Sequence, residues 1–386
     1  MSGVGRDLKT VALFCRVIDN FGDIGVCWRL ARQLAQQHRL DVTLWVDALD
    51  SFQRICPAID PHSPAQRQQG VCIRHWSADF SWDADAAAAD LVIEGFGCRL
   101  PQPYLAAMAR RTQAPVWINL EYLSAESWIE DFHGQPSYHP DLPLVKHFLF
   151  PGFSAASGGL LREPDLLQRR QRFQGDPAHA RQFLQGIGAM TPPDALPVSV
   201  FCYPHAPLES LLAAWSQQPQ PLILYVPQGV APAAVGAFLG CPASAGAYAT
   251  RGQLSVQVIP FLEQPDYDLL LWSCALNLVR GEDSLARAQW SGRPFLWHIY
   301  PQNEDAHLDK LDAFLGRYTE DMPEAAAHAV RQMHGAWNRG GEQGQPALQL
   351  LRELPRLTAH MAAWERKLLA NDELSAHLLR FARNIG

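Results

Sequence analysis

Residues 11–35, VALFCRVIDNFGDIGVCWRLARQLA, set a nearly continuous apolar run, a glycine turn and a helical pattern one after another. A short apolar run of this kind reads as a strand buried on both faces. Past the turn, Ile24, Cys27, Trp28, Ala31, Leu34 and Ala35 recur at the spacing of a single helix face. The alternation then continues, with strands predicted at 41–49, 70–76, 90–96 and 114–120 and a helix at 102–112. Strands that alternate with helices predict a parallel sheet covered on both faces.

At residue 196 the same pattern starts again. LPVSVFCYP (196–204), PLILYVP (221–227), LSVQVIPF (254–261) and ALNLVR (275–280) read as strands, with helices at 207–218, 264–274 and from about Ser284. A chain of 386 residues holds two domains at about 150 residues each. Two segments could join them: the Gly-, Ser- and Pro-rich 151–165, and the loop at 186–197. We place the boundary near 190. The predicted organisation is an α/β chain with a Rossmann-like domain over 1–190 and a second over 191–370. A last helix in 371–386 is expected to pack back towards the first domain. Two doubly wound domains facing across a cleft would present the carboxyl ends of their strands to it, where such sheets bind ligands.

Composition removes several classes. A net charge of −7 gives no basic footprint for nucleic acid. With 48% hydrophobic and 18% charged residues the chain can fill two cores and is not generally disordered. Its longest uncharged apolar run, 269–279, is too short to span a bilayer. The N-terminus lacks a secretory pattern, and the eight cysteines form no C-x-x-C pair, which suits buried thiols in a reducing cytoplasm. A soluble, cytoplasmic protein without a membrane partner is expected. No H-E-x-x-H or paired-cysteine pattern supports a metal site, and neither a P-loop nor a G-x-S-x-G elbow is present.

The loops after the first strands carry the candidate chemistry. In DNFGDIG (19–25), Gly22 and Gly25 permit a tight turn, but Asp19 and Asp23 would repel a pyrophosphate at that helix start. One reading is structural: Asp23 as an N-cap worth about 1 kcal/mol, and Asp19 as a turn former. The other is a carboxylate pair facing a cationic acceptor or serving as base in group transfer. In NLVRGEDSLARAQWSG (277–292), a strand ends at Arg280, Gly281 allows close approach, and Ser284 opens a helix. A helix N-terminus beside an arginine is a natural diphosphate site, and Glu282 could accept from sugar hydroxyls. The bland alternative is a helix start capped by Ser284 or Asp283, with Arg280 paired to Glu282. Tyr203, Phe261 with Gln264, and Tyr300 with Gln302 follow other strands of the second domain. They suit stacking on a base and bonding its edge, although a lone aromatic is more often core.

VIDNFGDIGVCWRLARQL, FLFPGFSAASGGLLRE, FCYPHAP and LVRGEDSLARAQWSGRPFLWHIYPQ resemble the EarP family of bacterial protein-arginine rhamnosyltransferases acting on translation elongation factor P. The resemblance runs from about residue 11 to the end. It implies a GT-B fold with the donor, dTDP-β-L-rhamnose, in the C-terminal domain, inverting transfer to an arginine, and no metal or other cofactor. It also implies that the modified factor is active in rescuing ribosomes stalled at consecutive prolines. Carried onto this sequence, Asp19 and Asp23 become the acceptor-side aspartates and Glu282 the essential glutamate. Tyr203, Phe261, Gln264, Arg280, Asp283 and Ser284 become the donor site. A sugar-nucleotide 2-epimerase or glycan-directed transferase of the same fold, or a non-catalytic nucleotide-sugar-binding partner of the translation machinery, stays open.

Overall fold

A computed structural model describes residues 6–77, 79–83 and 86–385. The chain divides into two compact units, Met1–Glu163 with Leu368–Gly386, and Pro164–Lys367.

In the first unit the elements follow as β1 (Thr10–Cys15), α1 (Gly22–Gln36), β2 (Asp41–Val46), α2 (Leu49–Ile55), β3 (Ala65–Gln68) and β4 (Val71–His75). Then come β5 (Leu91–Gly95), α3 (Gln102–Arg110), β6 (Val116–Leu120), α4 (Trp128–Phe132), β7 (Pro136–Tyr138) and β8 (Val145–Leu149). The described residues form an eight-stranded sheet in the order β3-β4-β2-β1-β5-β6-β8-β7. Its interior is parallel, with Val11 opposite Val42 on one side and Leu91 on the other. β3 and β7 close the edges antiparallel, a departure from the all-parallel expectation. Both edge strands are short and mostly polar (AQRQ and PSY), which blunts further pairing. The core of one face gathers on Phe14, stacked on Trp45 at 5.7 Å and edge-on to Tyr104 at 4.8 Å. Each such ring stabilises the fold by about 1.5–3 kcal/mol through burial.

The second unit begins with α5 (Leu166–Gln174) and α6 (Pro177–Gly186), followed by β9 (Leu196–Val200), α7 (Leu208–Ser216), β10 (Leu222–Pro227), α8 (Pro232–Leu239), β11 (Tyr248–Arg251) and β12 (Leu254–Ile259). It continues through α9 (Gln264–Ser273), β13 (Leu276–Arg280), α10 (Asp283–Trp290), β14 (Phe295–His298), α11 (Ala306–Thr319), α12 (Glu324–Arg339) and α13 (Gly344–Leu369). Its six-stranded sheet runs β11-β12-β10-β9-β13-β14.

The division falls at Glu163 and Pro164, not near 190. The cause lies in α5: its Phe173 packs on Trp272 at 5.7 Å, and Gln174 donates to the carbonyls of Trp272 and Ser291. The join therefore falls at the end of the Gly-, Ser- and Pro-rich 151–165, most of which belongs to the first unit, and 186–197 is a loop inside the second unit. The final helix, α14 (Leu374–Asn384), belongs to the first unit. The Leu374 N–H donates to the Leu160 carbonyl at 3.1 Å, and Ser375 meets His38 at 2.9 Å.

Among the described residues no helix is long and apolar enough to cross a membrane, and no group of three or more His, Cys, Asp or Glu could hold a metal ion.

Candidate active site

In each sheet the strand order reverses beside the first strand. The first unit turns back between β1 and β5, the second between β9 and β13. Crevices at such switch points, outside the carboxyl ends of the strands, are where open α/β sheets bind ligands.

The first crevice holds the aspartates. Gly22 N–H donates to the Asp19 carbonyl at 2.6 Å, closing the turn into α1. The Asp19 carboxylate lies so close over Gly22 that a Cβ there would meet its Oδ2 at 2.6 Å and displace the Asp19 side chain. Asp23 is only 2% exposed. Its Oδ2 accepts from the backbone N–H of Ile18 at 2.7 Å and Asp19 at 2.9 Å, and the Tyr122 hydroxyl also donates to the carboxylate. Asp23 is not an N-cap: Phe21 occupies that position, without a side-chain cap bond, and Asp23 lies inside the first turn. Its carboxylate reaches back and ties down the loop that leaves β1. Burial raises its pKa above the usual aspartate range, against the three hydrogen bonds, which favour the anion; Asp47 adds a smaller push upward.

Two aromatic residues that the sequence reading did not single out complete this crevice. Phe96 follows β5 and Tyr122 follows β6, and their rings stack at 4.5 Å and 15°. Phe96 has φ of +55°, a region that a bulky side chain enters only at a cost of about 1–3 kcal/mol. Neighbouring bonds enforce it. Phe96 N–H donates to Leu120 O at 2.8 Å, Gly97 N–H to Asn119 Oδ1 at 3.0 Å, and Arg99 N–H to Glu94 Oε1 at 2.8 Å. Glu94 is itself buried and paired with Lys146 at 3.2 Å. Asn119 also donates to Glu121, the neighbour of Tyr122.

In the second crevice Arg280 ends β13. Its guanidinium lies over the rings of Phe201 at 4.3 Å and Tyr203 at 4.8 Å, and donates to Cys202 O at 3.2 Å. Those three residues follow β9, so the arginine bridges both strands of the switch point. Ser284 is 5% exposed. Its hydroxyl accepts from Arg280 N–H at 3.1 Å and donates to the Arg280 carbonyl. The predicted caps are therefore not used: Glu282 holds the N-cap position of α10, and Ser284 lies within the helix. Glu282 pairs with Lys310 of α11 at 3.1 Å. Gly281 between them adopts φ of +59°, and its carbonyl accepts from the Trp297 indole at 2.9 Å.

The other predicted residues gather around this loop. Gln264, buried at the start of α9, donates to Asp283 at 3.2 Å. Phe261 packs edge-on against Phe201 at 6.2 Å. Tyr300, on the surface, meets Tyr203 at 5.5 Å, while Gln302 is exposed and its backbone N–H donates to His307. Behind Tyr203 stands His298, missed in the sequence reading, whose Nδ1 accepts the Tyr203 N–H at 3.2 Å. Burial, with His205 and Arg280 nearby, lowers its pKa to about 3, so it stays a neutral acceptor at physiological pH. A buried, bidentate Arg287–Asp268 pair (2.6 and 2.9 Å) fixes α10 to α9 behind the site. A groove of about 480 Å3 in this unit, lined by Pro197, Ile223 and Arg293, lies at the amino-terminal ends of β9 and β10, the opposite end of the strands from these residues.

Comparison with known proteins identifies the family and the fold. A family model described as "Elongation-Factor P (EF-P) rhamnosyltransferase EarP" matches residues 11–383. A protein-arginine rhamnosyltransferase of Pseudomonas putida is 48% identical over 373 residues, covering 96% of this chain and 98% of that protein. A solved structure from work on EarP-mediated arginine glycosylation of translation elongation factor EF-P is 34% identical, with a TM-score of 0.67 over 98% of this chain and 99% of the other. A spinosyn rhamnosyltransferase, SpnG, is 12% identical with a TM-score of 0.50 over 97% of this chain and all of its own, and shares the fold alone.

Proposed function

The chain belongs to the EarP family and is a glycosyltransferase of GT-B fold, and from that premise we propose that it moves L-rhamnose from dTDP-β-L-rhamnose to an arginine of elongation factor P. Such an acceptor places the reaction in the cytoplasm, with the translation machinery. The observation that carries the donor half is Arg280, held across Phe201 and Tyr203 at the switch point and followed by the start of α10. A helix N-terminus next to a guanidinium attracts a diphosphate. Phe261, Gln264 and Asp283 then meet the base and its edge, and Tyr203, Tyr300 and Gln302 line the same loop cluster. Glu282, fixed by Lys310, accepts from sugar hydroxyls.

The carboxylate loop of the first unit receives the acceptor. An arginine has a pKa above 12 and does not shed its proton beforehand. In this reading Asp19 and Asp23 hold the guanidinium through charge-assisted bonds, and a guanidine nitrogen attacks the anomeric carbon. The new C–N bond forms as the bond to the diphosphate oxygen breaks, inverting that carbon. The proton leaves the nitrogen for Asp23, and dTDP departs with the electron pair. A carboxylate whose pKa is raised by burial accepts a proton more readily than an exposed one. Positioning contributes up to about 7–11 kcal/mol, so a weak base suffices. Arg280 and the α10 N-terminus take up the leaving charge, and transfer needs no metal ion.

The test combines the protein, dTDP-rhamnose and elongation factor P, with and without EDTA. A gain of one deoxyhexose on an arginine, at the same rate in both arms, is expected. Consumption of the nucleotide sugar without any change in the acceptor's mass would point to an epimerase and overturn the assignment.

A further inference from the structure

The Phe96–Tyr122 pair has no task in the chemistry described so far, yet its construction resembles that of a site more than that of core. Both rings are only half buried, whereas the rings around Phe14 that build the core are mostly buried. Phe96 is held in the left-handed region by the surrounding bonds to Leu120, Asn119 and Glu94. Strain of this kind persists where a side chain must be presented in one direction. The pair is joined to the carboxylates, because the Tyr122 hydroxyl donates to Asp23. Asn119 further binds Glu121 to the same strand end. An aromatic wall beside carboxylates is the chemistry that selects a planar guanidinium over a compact ammonium, since the plane stacks on a ring while its N–H groups reach the anions.

We propose that Phe96 and Tyr122 form the aromatic wall of an arginine-binding site in the first unit, stacking on the acceptor guanidinium while Asp19 and Asp23 bind its edge. The inference rests on the reading that this unit receives the acceptor, and adds the residues that choose arginine. Ordinary packing predicts something different. If the rings served stability alone, removing Phe96 would weaken the fold and leave acceptor recognition intact. Glycine at 96 relieves the backbone strain while it deletes the ring, so the two roles move stability and recognition in opposite ways.

The experiment compares wild type with Phe96→Gly, Phe96→Leu, Phe96→Tyr and Tyr122→Leu, using elongation factor P as acceptor. It measures KM for the acceptor, Kd for dTDP-rhamnose and Tm. Phe96→Gly is expected to keep or raise Tm while acceptor KM rises about 2- to 30-fold, the range of a cation–ring contact, with donor Kd unchanged. Phe96→Leu and Tyr122→Leu should raise acceptor KM similarly, and Phe96→Tyr, which keeps a ring, should recover most of the loss. An unchanged acceptor KM in both leucine variants overturns the proposal. So does a rise in KM that appears only together with a lower Tm. Absence of transfer by the wild-type protein would instead remove the functional reading on which the proposal stands, and the two failures are thus distinguishable.

Discussion

Replacing Asp23 with asparagine separates the carboxylate's charge from its part in holding the loop. The side chain is buried, and one oxygen accepts both the Ile18 and Asp19 N–H groups. Asparagine keeps an oxygen for both. Each bond weakens from charge-assisted to neutral, a loss of about 1 kcal/mol apiece, while the cost of burying an anion disappears. The pH dependence has a definite sign. Because burial raises the folded-state pKa of Asp23, its contribution to stability is fully present below the unfolded value of about 3.9. That contribution is lost as pH rises through the folded value. Near neutrality the anion therefore costs stability, and Asp23→Asn offsets its weakened bonds. The two effects oppose one another, and Tm should stay within about 4 °C of wild type. Activity should behave otherwise. Loss of a positioned base lowers kcat/KM by about 10²- to 10⁴-fold, which corresponds to about 2.7–5.4 kcal/mol of transition-state stabilisation. The assay is intact-mass analysis of the acceptor over time, with nucleotide-sugar binding and Tm measured on the same sample. A variant with kcat/KM within about threefold of wild type and normal donor affinity would refute the base role.

Tyr122→Phe removes a hydrogen bond that lowers the Asp23 pKa, so the acid limb of the kcat profile should move to higher pH; a superimposable limb would show that Asp23 does not govern it. Gly281→Ala forces a Cβ onto a residue at φ +59°, costing about 1–2 kcal/mol and shifting Arg280 and Glu282. Titration with dTDP-rhamnose should show affinity reduced about tenfold. Arg287→Met leaves Asp268 buried without its bidentate partner and should lower stability in a denaturant melt by about 3–5 kcal/mol. Pairing it with Asp268→Leu should recover most of that loss.

The repeated strand–turn–helix pattern was readable because strands buried on both faces appear as apolar runs, as in Thr10–Cys15 and Leu276–Arg280. Arg280 and the aspartates were readable because charge at the end of such a run stands out. Short edge strands were not: Ala65–Gln68 is AQRQ, which carries no apolar alternation. The division near residue 164 was misplaced because α5 reads as polar, LLQRRQRFQ, and its attachment depends on Phe173 and Gln174 meeting distant partners. A cap was one of two readings open for Asp23, since local spacing cannot reveal a side chain that turns back to residues 18 and 19. Phe96 and Tyr122 were passed over because their pairing is created by adjacent strands of the sheet. His298 gave no signal of this role, because its bond to Tyr203 spans 95 positions.

The segment Leu368–Gly386 belongs to the same compact unit as the opening 163 residues. During synthesis, the lobe made first must therefore wait for the lobe made last. Until α14 emerges from the ribosome, His38 lacks Ser375 and the Leu160 carbonyl lacks the Leu374 N–H. The first unit is thus incomplete throughout translation of the second.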